Sequence, residues 1–390
     1  MTSICFYFQV HQPFRLKDFN FFKIGSDHFY ENDNQNKELL YRIADKSYLP
    51  ANQKILDLIH QSGGKFRVSY SISGTALEQF EAYRPDVIES FRDLVKTGCV
   101  EILAETYYHS LSFLYSKSEF ERQVKKHSDK VKALLGVEPK VFRNTELIYN
   151  NDIAAAINKM GYKAILCEGV DRILNERSPN FVYKAAGSGM NCLLKNYKLS
   201  DDIAFRFSNQ NWDEYPLTAP KFANWVHSVA GNGEVINLFM DYETFGEHQW
   251  AESGIFRFLE HLPMEVLKHP DFDFKTPSEI VDTYPAKGVY DAPFFTSWAD
   301  EERDLSAWLE NSMQGEAIKR IYNLEQKVLQ KGQKELVEVW GKLQTSDHFY
   351  YMSTKFWNDG DVHKYFSPYD SPFDAYINYM NVLSDFELCI

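Results

Sequence analysis

The sequence predicts an α/β protein: a mostly parallel barrel of alternating strands and helices, followed by a helical C-terminal part. Three observations predict it. Short runs of β-branched and aromatic residues alternate with segments of helical periodicity, the pattern that builds parallel sheets. A chain of 390 residues is long enough for one large barrel and a smaller companion. Past about residue 300 the β-branched runs stop and amphipathic helical spacing takes over.

In order along the chain, strands are expected at Ile4–Val10, Phe66–Ile72, Val100–Ala104, Val141–Asn144, Ala164–Cys167, Cys192–Leu194 and Val235–Met240. Helices fall between them. Pro50 opens one that carries Ile55, Leu58 and Ile59 on one face. Pro85 starts another, with Val87, Ile88, Phe91 and Leu94. Ser118 is expected to cap a third, with Glu121 completing a capping box. Asn151 opens a fourth that ends at Gly161. Residues 301–352 read as two or three helices broken near Gly315 and Gly332, and Pro372 begins a last one. The spacing thus divides the chain into a barrel over 1–290 and a helical domain over 291–390. Segments 14–48 and 196–216 are expected to act as cleft walls or lids.

Composition narrows the function classes. The net charge is −13, from 42 basic and 55 acidic side chains. That argues against phosphate backbones and anionic membranes, which call for clustered Lys and Arg, so neither nucleic acid nor membrane is expected as a partner. Aromatic residues make up 16% of the chain. Most such rings pack cores, but Tyr and Trp also offer a flat apolar face that suits the C–H face of a sugar. The five cysteines form no C-x-x-C pair, are odd in number and lie mostly in apolar runs. They read as free buried thiols of a reducing compartment. The N-terminus enters a strand directly, with no basic and apolar leader pattern, and no run of 18 apolar residues occurs. The expected location is cytoplasmic.

The chemistry sits where the apolar runs end. The first gives Val10-His11-Gln12-Pro13. The third leads through Glu105 to Tyr107-Tyr108-His109. The fourth gives Phe142-Arg143-Asn144-Thr145-Glu146, and the seventh ends in Asp241-Tyr242-Glu243. In a parallel barrel all strand C-termini lie on one rim, where active sites are built. Polar residues end strands in every protein, yet here a carboxylate or imidazole closes each of these four. Glycosidic cleavage needs one carboxylic acid and one carboxylate, and Glu146 and Asp241 on different strands could supply them. Metal hydrolysis competes, with His11 and His109 joined by Asp241 or Glu105, but no metal-ligand spacing such as H-E-x-x-H supports it. A serine nucleophile has no G-x-S-x-G, and Gly187-Ser188-Gly189 reads as a loop.

At these residues the sequence resembles the α-amylase-like enzymes of glycoside hydrolase family 57. His11-Gln12-Pro13 resembles that family's opening signature, and Gly98 to Ala104 leading to His109 its second region. Phe142 to Glu146 resembles the third, whose glutamate is the nucleophile. Met240 to Gly246 resembles the fourth, whose aspartate is the general acid/base. Leu343 to Phe349 resembles a segment of the family's helical domain that reaches back to the cleft. The resemblance departs where Tyr242 stands between Asp241 and Glu243, and where Asn144 and Thr145 replace an aromatic.

The resemblance implies an incomplete (β/α)7 barrel with a C-terminal α-helical bundle contributing to the cleft. It implies a retaining mechanism on α-1,4-glucan, without a metal or other cofactor. Glu146 would attack the anomeric carbon, and Asp241 would donate and then recover the proton, its pKa raised by Glu146 and Glu243. Arg143 would lower the pKa of Glu146. His11, Gln12, His109, Glu243 and Asp347 are expected around the sugar, with Trp250 and Trp298 as stacking faces. A 4-α-glucanotransferase, a branching enzyme, an inactive glucan-binding protein and, less favoured, a sugar deacetylase remain the alternatives.

Overall fold

The computed structural model describes residues 1–357 and 362–390. Its central strands are β1 (Thr2–Val10), β2 (Val68–Ile72), β3 (Val100–Ile102), β4 (Val141–Arg143), β5 (Ala164–Glu168), β6 (Val182–Ala185), β7 (Asn191–Lys195) and β8 (Val235–Asp241). All but β6 belong to one ring, in the order β1, β2, β3, β4, β5, β7, β8 and back to β1. A parallel bridge from Ala104 to Phe142 joins β3 to β4. Every pairing around the ring is parallel.

The ring is weakly joined at one seam. β7 meets β8 only at Lys195 and Asn237. The rest of that edge of β7 is taken by the antiparallel strand β6. This seam is what makes the seven-stranded barrel incomplete.

Side chains alternate across each strand, so one strand feeds two cores. On β1, Ile4, Phe6, Phe8 and Val10 face the outer helices, packing with Ile55, Leu58 and Phe91. Cys5 and Tyr7 face inward and pack with Leu166, Leu193 and Phe239. Ile280 from the helix Pro277–Thr283 joins that inner cluster. A third cluster unites Phe142, Ile153 and Cys192 of the barrel with Trp308, Ile321, Trp340 and Tyr379 of the C-terminal helices. The two parts share one core.

The helices at Leu49–Gln61, Pro85–Lys96 and Asn151–Lys159 begin at or within two residues of the expected positions. The third starts at Lys117 because Ser116, extended at φ −147°, accepts the Glu119 N–H. Ser118 sits inside the first turn and bonds Glu325 instead. The C-terminal region holds five short helices over residues 306–350 rather than two or three. Gly315 lies inside Ser312–Asn323, whose capping box from Asn311 and Gln314 nucleates the helix straight through it. Gly332 does end its helix, in the left-handed conformation. The three-residue pairings at Phe272–Phe274 and Gly288–Tyr290, and β6, are too short for a periodicity signal. All five cysteines are free, four of them buried. No described helix is long and apolar enough to cross a membrane.

Candidate active site

The turn after β4 places Glu146. Glu146 and Leu147 both adopt left-handed backbone, with φ 54° and 50°. That conformation costs a side-chain-bearing residue about 1–2 kcal/mol, so neighbouring bonds must impose it. Leu147 N–H donates to Asn144 O at 3.0 Å and Trp298 N–H to Glu146 O at 3.2 Å. Tyr149 and Thr296 pair across an isolated antiparallel bridge, which fixes the Trp298 segment beside the turn. The turn aims the Glu146 carboxylate at two partners. Oε1 lies 2.7 Å from His109 Nε2, and Oε2 accepts the indole N–H of Trp298 at 2.7 Å.

His109 stands behind the carboxylate. Its Nδ1 lies 3.0 Å from Glu105 Oε2, and both side chains are fully buried. Burial opposes charge on this imidazole, but its bonds to Glu105 and Glu146 outweigh that and lift its pKa to about 9. Glu105 likewise resists the upward push of burial and falls to about 2 through His109 and Arg143. Glu146 is lowered for the same reason: burial raises it, while His109, Arg143 and the Trp298 N–H together prevail. The result is a buried imidazolium between two carboxylates, with Glu146 held ionised.

The loop bearing His109 is clamped on both sides. The Tyr107 ring lies where a Cβ on Gly74 would be 2.5 Å from it, and the Tyr108 ring 2.2 Å from a Cβ on Gly341. Ser346 N–H donates to His109 O at 2.9 Å, which anchors the helix Ser346–Tyr350 to the same loop. Asp347 on that helix lies 2.9 Å from His11 Nε2, and Ser73 Oγ lies 2.8 Å from His11 Nδ1. His11 stacks on His109 with ring centroids 3.9 Å apart. Only one of two such rings can readily carry charge. Burial and the charge of His109 lower the His11 pKa despite Asp347, so His11 is neutral and its contact with Asp347 is a hydrogen bond. Both ring nitrogens of each histidine are therefore taken by neighbouring side chains.

Asp241 ends β8, in register with Gln9 of β1. Burial and then the charge of Glu146 raise its pKa to about 6, against Arg143, Lys195 and His109. Glu243 was expected to help, but burial and Asp241 push Glu243 itself to about 8. It is protonated near neutrality and has no charge to lend. It is held by the Tyr48 hydroxyl and by Gln12 Nε2 at 3.4 Å.

These groups surround one cavity of about 500 Å³, lined by His11, Gln12, Glu146, Asp241, Glu243, Trp298 and Asp347, among others. His109 and Arg143 are fully buried outside its lining. Arg143 makes no side-chain hydrogen bond to the described residues, its guanidinium lying 4.9 Å from the Trp298 ring. Its charge reaches the site, lowering both Glu146 and Glu105. Trp250 is outside the described lining and 66% exposed, because the short pairing of Gln249–Trp250 with Phe245–Gly246 turns it to solvent. Trp298, expected as a stacking face, is first a hydrogen-bond donor to Glu146. Lys195 was missed. It lines the cavity at the end of β7, 3.0 Å from Asp201 and 5.3 Å from the Trp298 ring. The rule that reactive groups end apolar runs would have found it had it included amines. Arg15, Leu39 and Phe205 bring the segments 14–48 and 196–216 into the wall.

The model of glycosyl hydrolase family 57 matches residues 5–293. A protein of Methanocaldococcus jannaschii described as "putative alpha-amylase" is 47% identical over 401 residues, spanning 99% of this chain and 84% of that protein. Among solved structures, the 4-alpha-glucanotransferase of Thermococcus litoralis superposes with a TM-score of 0.68 at 18% identity, over 89% of this chain. The chain spans 56% of that enzyme's length. A family 57 branching enzyme of Thermococcus kodakaraensis gives 0.68 at 15% identity, over 94% of this chain and 87% of the other. The alpha-amylase AmyC of Thermotoga maritima gives 0.64 at 14%, over all of this chain and 93% of the other. At these identities the structural likenesses speak for the fold.

Proposed function

We propose that this chain, which belongs to glycosyl hydrolase family 57 and is a glycoside hydrolase, cleaves α-1,4-glucosidic bonds by a retaining mechanism. The observation that carries the reading is the opposite tuning of two carboxyl groups on one cavity: Glu146 lowered, Asp241 raised to about 6. Pairs whose environments drive their pKa values apart divide into nucleophile and acid.

The steps follow from that division. The Asp241 carboxyl gives its proton to the glycosidic oxygen as the C–O bond breaks. The Glu146 carboxylate forms an ester with the anomeric carbon. Asp241, now ionised, takes a proton from a water whose oxygen attacks that carbon, and Glu146 leaves as carboxylate. His109 and the Trp298 N–H hold both oxygens of Glu146, which fixes its direction of attack. Gln12, Glu243, His11 and Asp347 face the cavity as candidate hydroxyl partners. The helical region 291–390 supplies Trp298 and Asp347, in keeping with a C-terminal domain that completes the cleft.

A second reading rests on the exposed rings of Phe205 and Tyr365, which also line the cavity. Such faces suit an acceptor sugar, and passing the ester to a sugar hydroxyl would make the enzyme a glucanotransferase. Chromatography of the products from maltooligosaccharides separates the two. Shorter chains alone support hydrolysis, and a ladder of longer chains supports transfer. No product above a Glu146→Gln blank would reject both.

A further inference from the structure

The N-terminal segment is fastened to the last helix, Pro372–Cys389. Phe19 N–H donates to Asn378 Oδ1 at 2.6 Å, and Gly25 N–H to Asp385 Oδ1 at 2.7 Å. Where the two meet, His28 Nδ1 lies 2.8 Å from Asp385 Oδ2 and 3.3 Å from Cys389 Sγ. The nitrogen, oxygen and sulfur all fall within 4.8 Å of one another.

A Cys, His and Asp set suggests a proton relay first, and the geometry refuses it. A relay needs the thiol on one ring nitrogen and the carboxylate on the other. Here both partners converge on Nδ1, which carries at most one proton. Three donors of ligand type this close to one another are what a divalent cation takes. Zinc bond lengths of about 2.0–2.3 Å at a tetrahedral angle place such donors roughly 3.3–3.6 Å apart. The nitrogen–sulfur separation already matches, and the nitrogen–oxygen one need only open by about half an ångström.

The cluster is also prepared as a ligand set. The Asp385 carboxylate is fully buried, with Oδ1 held by Gly25 and Oδ2 by the Tyr30 hydroxyl at 2.6 Å. Such outer partners orient a metal ligand. Asp385 and Cys389 are one helical turn apart, on one face. The His28 side chain is 53% exposed, so a cation can enter from solvent.

We propose that His28, Asp385 and Cys389 form a divalent-metal site of zinc type, with the fourth position open to water. A thiolate with an imidazole and a carboxylate selects zinc over magnesium or calcium. The thiol proton passes to solvent as the metal binds. The site pins the N-terminal segment to the last helix and is separate from the glucan chemistry.

Chelator-stripped full-length protein, titrated with Zn²⁺ against a chromogenic chelator, tests this. One equivalent should bind, and Co²⁺ in its place should give a thiolate-to-cobalt charge-transfer band. His28→Asn and Cys389→Ser should each weaken Zn²⁺ binding at least roughly tenfold, abolish the rise in Tm that Zn²⁺ gives the parent, and for Cys389→Ser remove the band. His28 is half exposed, so its variant keeps the fold if the cysteine variant does not. Absence of a stoichiometric equivalent, or unchanged affinity in His28→Asn, would overturn the proposal.

Discussion

Trp298 donates its indole N–H to Oε2 of Glu146 at 2.7 Å while its own backbone N–H donates to Glu146 O. One residue of the segment after 290 thus fixes both the backbone and the carboxylate of a residue on the β4 turn. A hydrogen bond to a charged group contributes about 1.5–3 kcal/mol. Trp298→Phe is therefore expected to lower kcat/KM by about 10–100-fold, with kcat falling more than KM rises. Steady-state kinetics on maltooligosaccharides check this.

The pH profile follows from the two carboxyl groups. Asp241 acts protonated, so activity is lost as pH rises through its pKa of about 6. Glu146 acts ionised, so activity is lost as pH falls through a pKa below the ordinary glutamate value. The kcat/KM profile of the free enzyme should be a bell centred on the acid side of neutrality. Removing the imidazolium in His109→Gln should raise the Glu146 pKa and move the acid limb to higher pH.

Glu243 provides a contrast. With its pKa near 8 it is neutral where the enzyme works. Glu243→Gln should leave the alkaline limb where it is and act only on substrate affinity, through the contact with Gln12. A charged Glu243 would instead make the variant's limb fall to lower pH. Measured kcat/KM between pH 4 and 8 distinguishes the two.

Gly341→Ala tests the clamp on the loop of His109. A Cβ there would lie 2.2 Å from the Tyr108 ring. Overpacking of this kind costs about 1–3 kcal/mol, so Tm should drop and activity with it. Trp250→Ala, on a solvent-facing ring, should change kcat/KM by less than about twofold. Thermal melts and kinetics on the two variants suffice.

The barrel was legible because its evidence is local and repeated. Each ring strand is an apolar run, and the ring strands after β1 lie within two residues of the expected bounds at their starts. The rim residues were legible for the same reason, since strand ends are where the runs stop. Other features depended on distant chain. The roles of Trp298 and Arg143 turn on which atoms meet across more than a hundred residues, and Trp250 looked equivalent to Trp298 in composition alone. Ser116 and Ser118 are both capping residue types, and only the extended backbone at Ser116 decides between them. Lys195 was hidden by reading the rim for acids and imidazoles. The charge of Glu243 depends on burial, which no spacing reveals.

In a retaining mechanism Glu146 becomes esterified during turnover. A fluorinated maltosyl fluoride, which forms the ester quickly and releases it slowly, traps that state for intact-mass measurement and peptide mapping. One added fluoromaltosyl group per chain is expected, carried by the peptide containing Glu146 and absent in Glu146→Gln. A label on another residue, or full turnover of the reagent with no label at all, would contradict it.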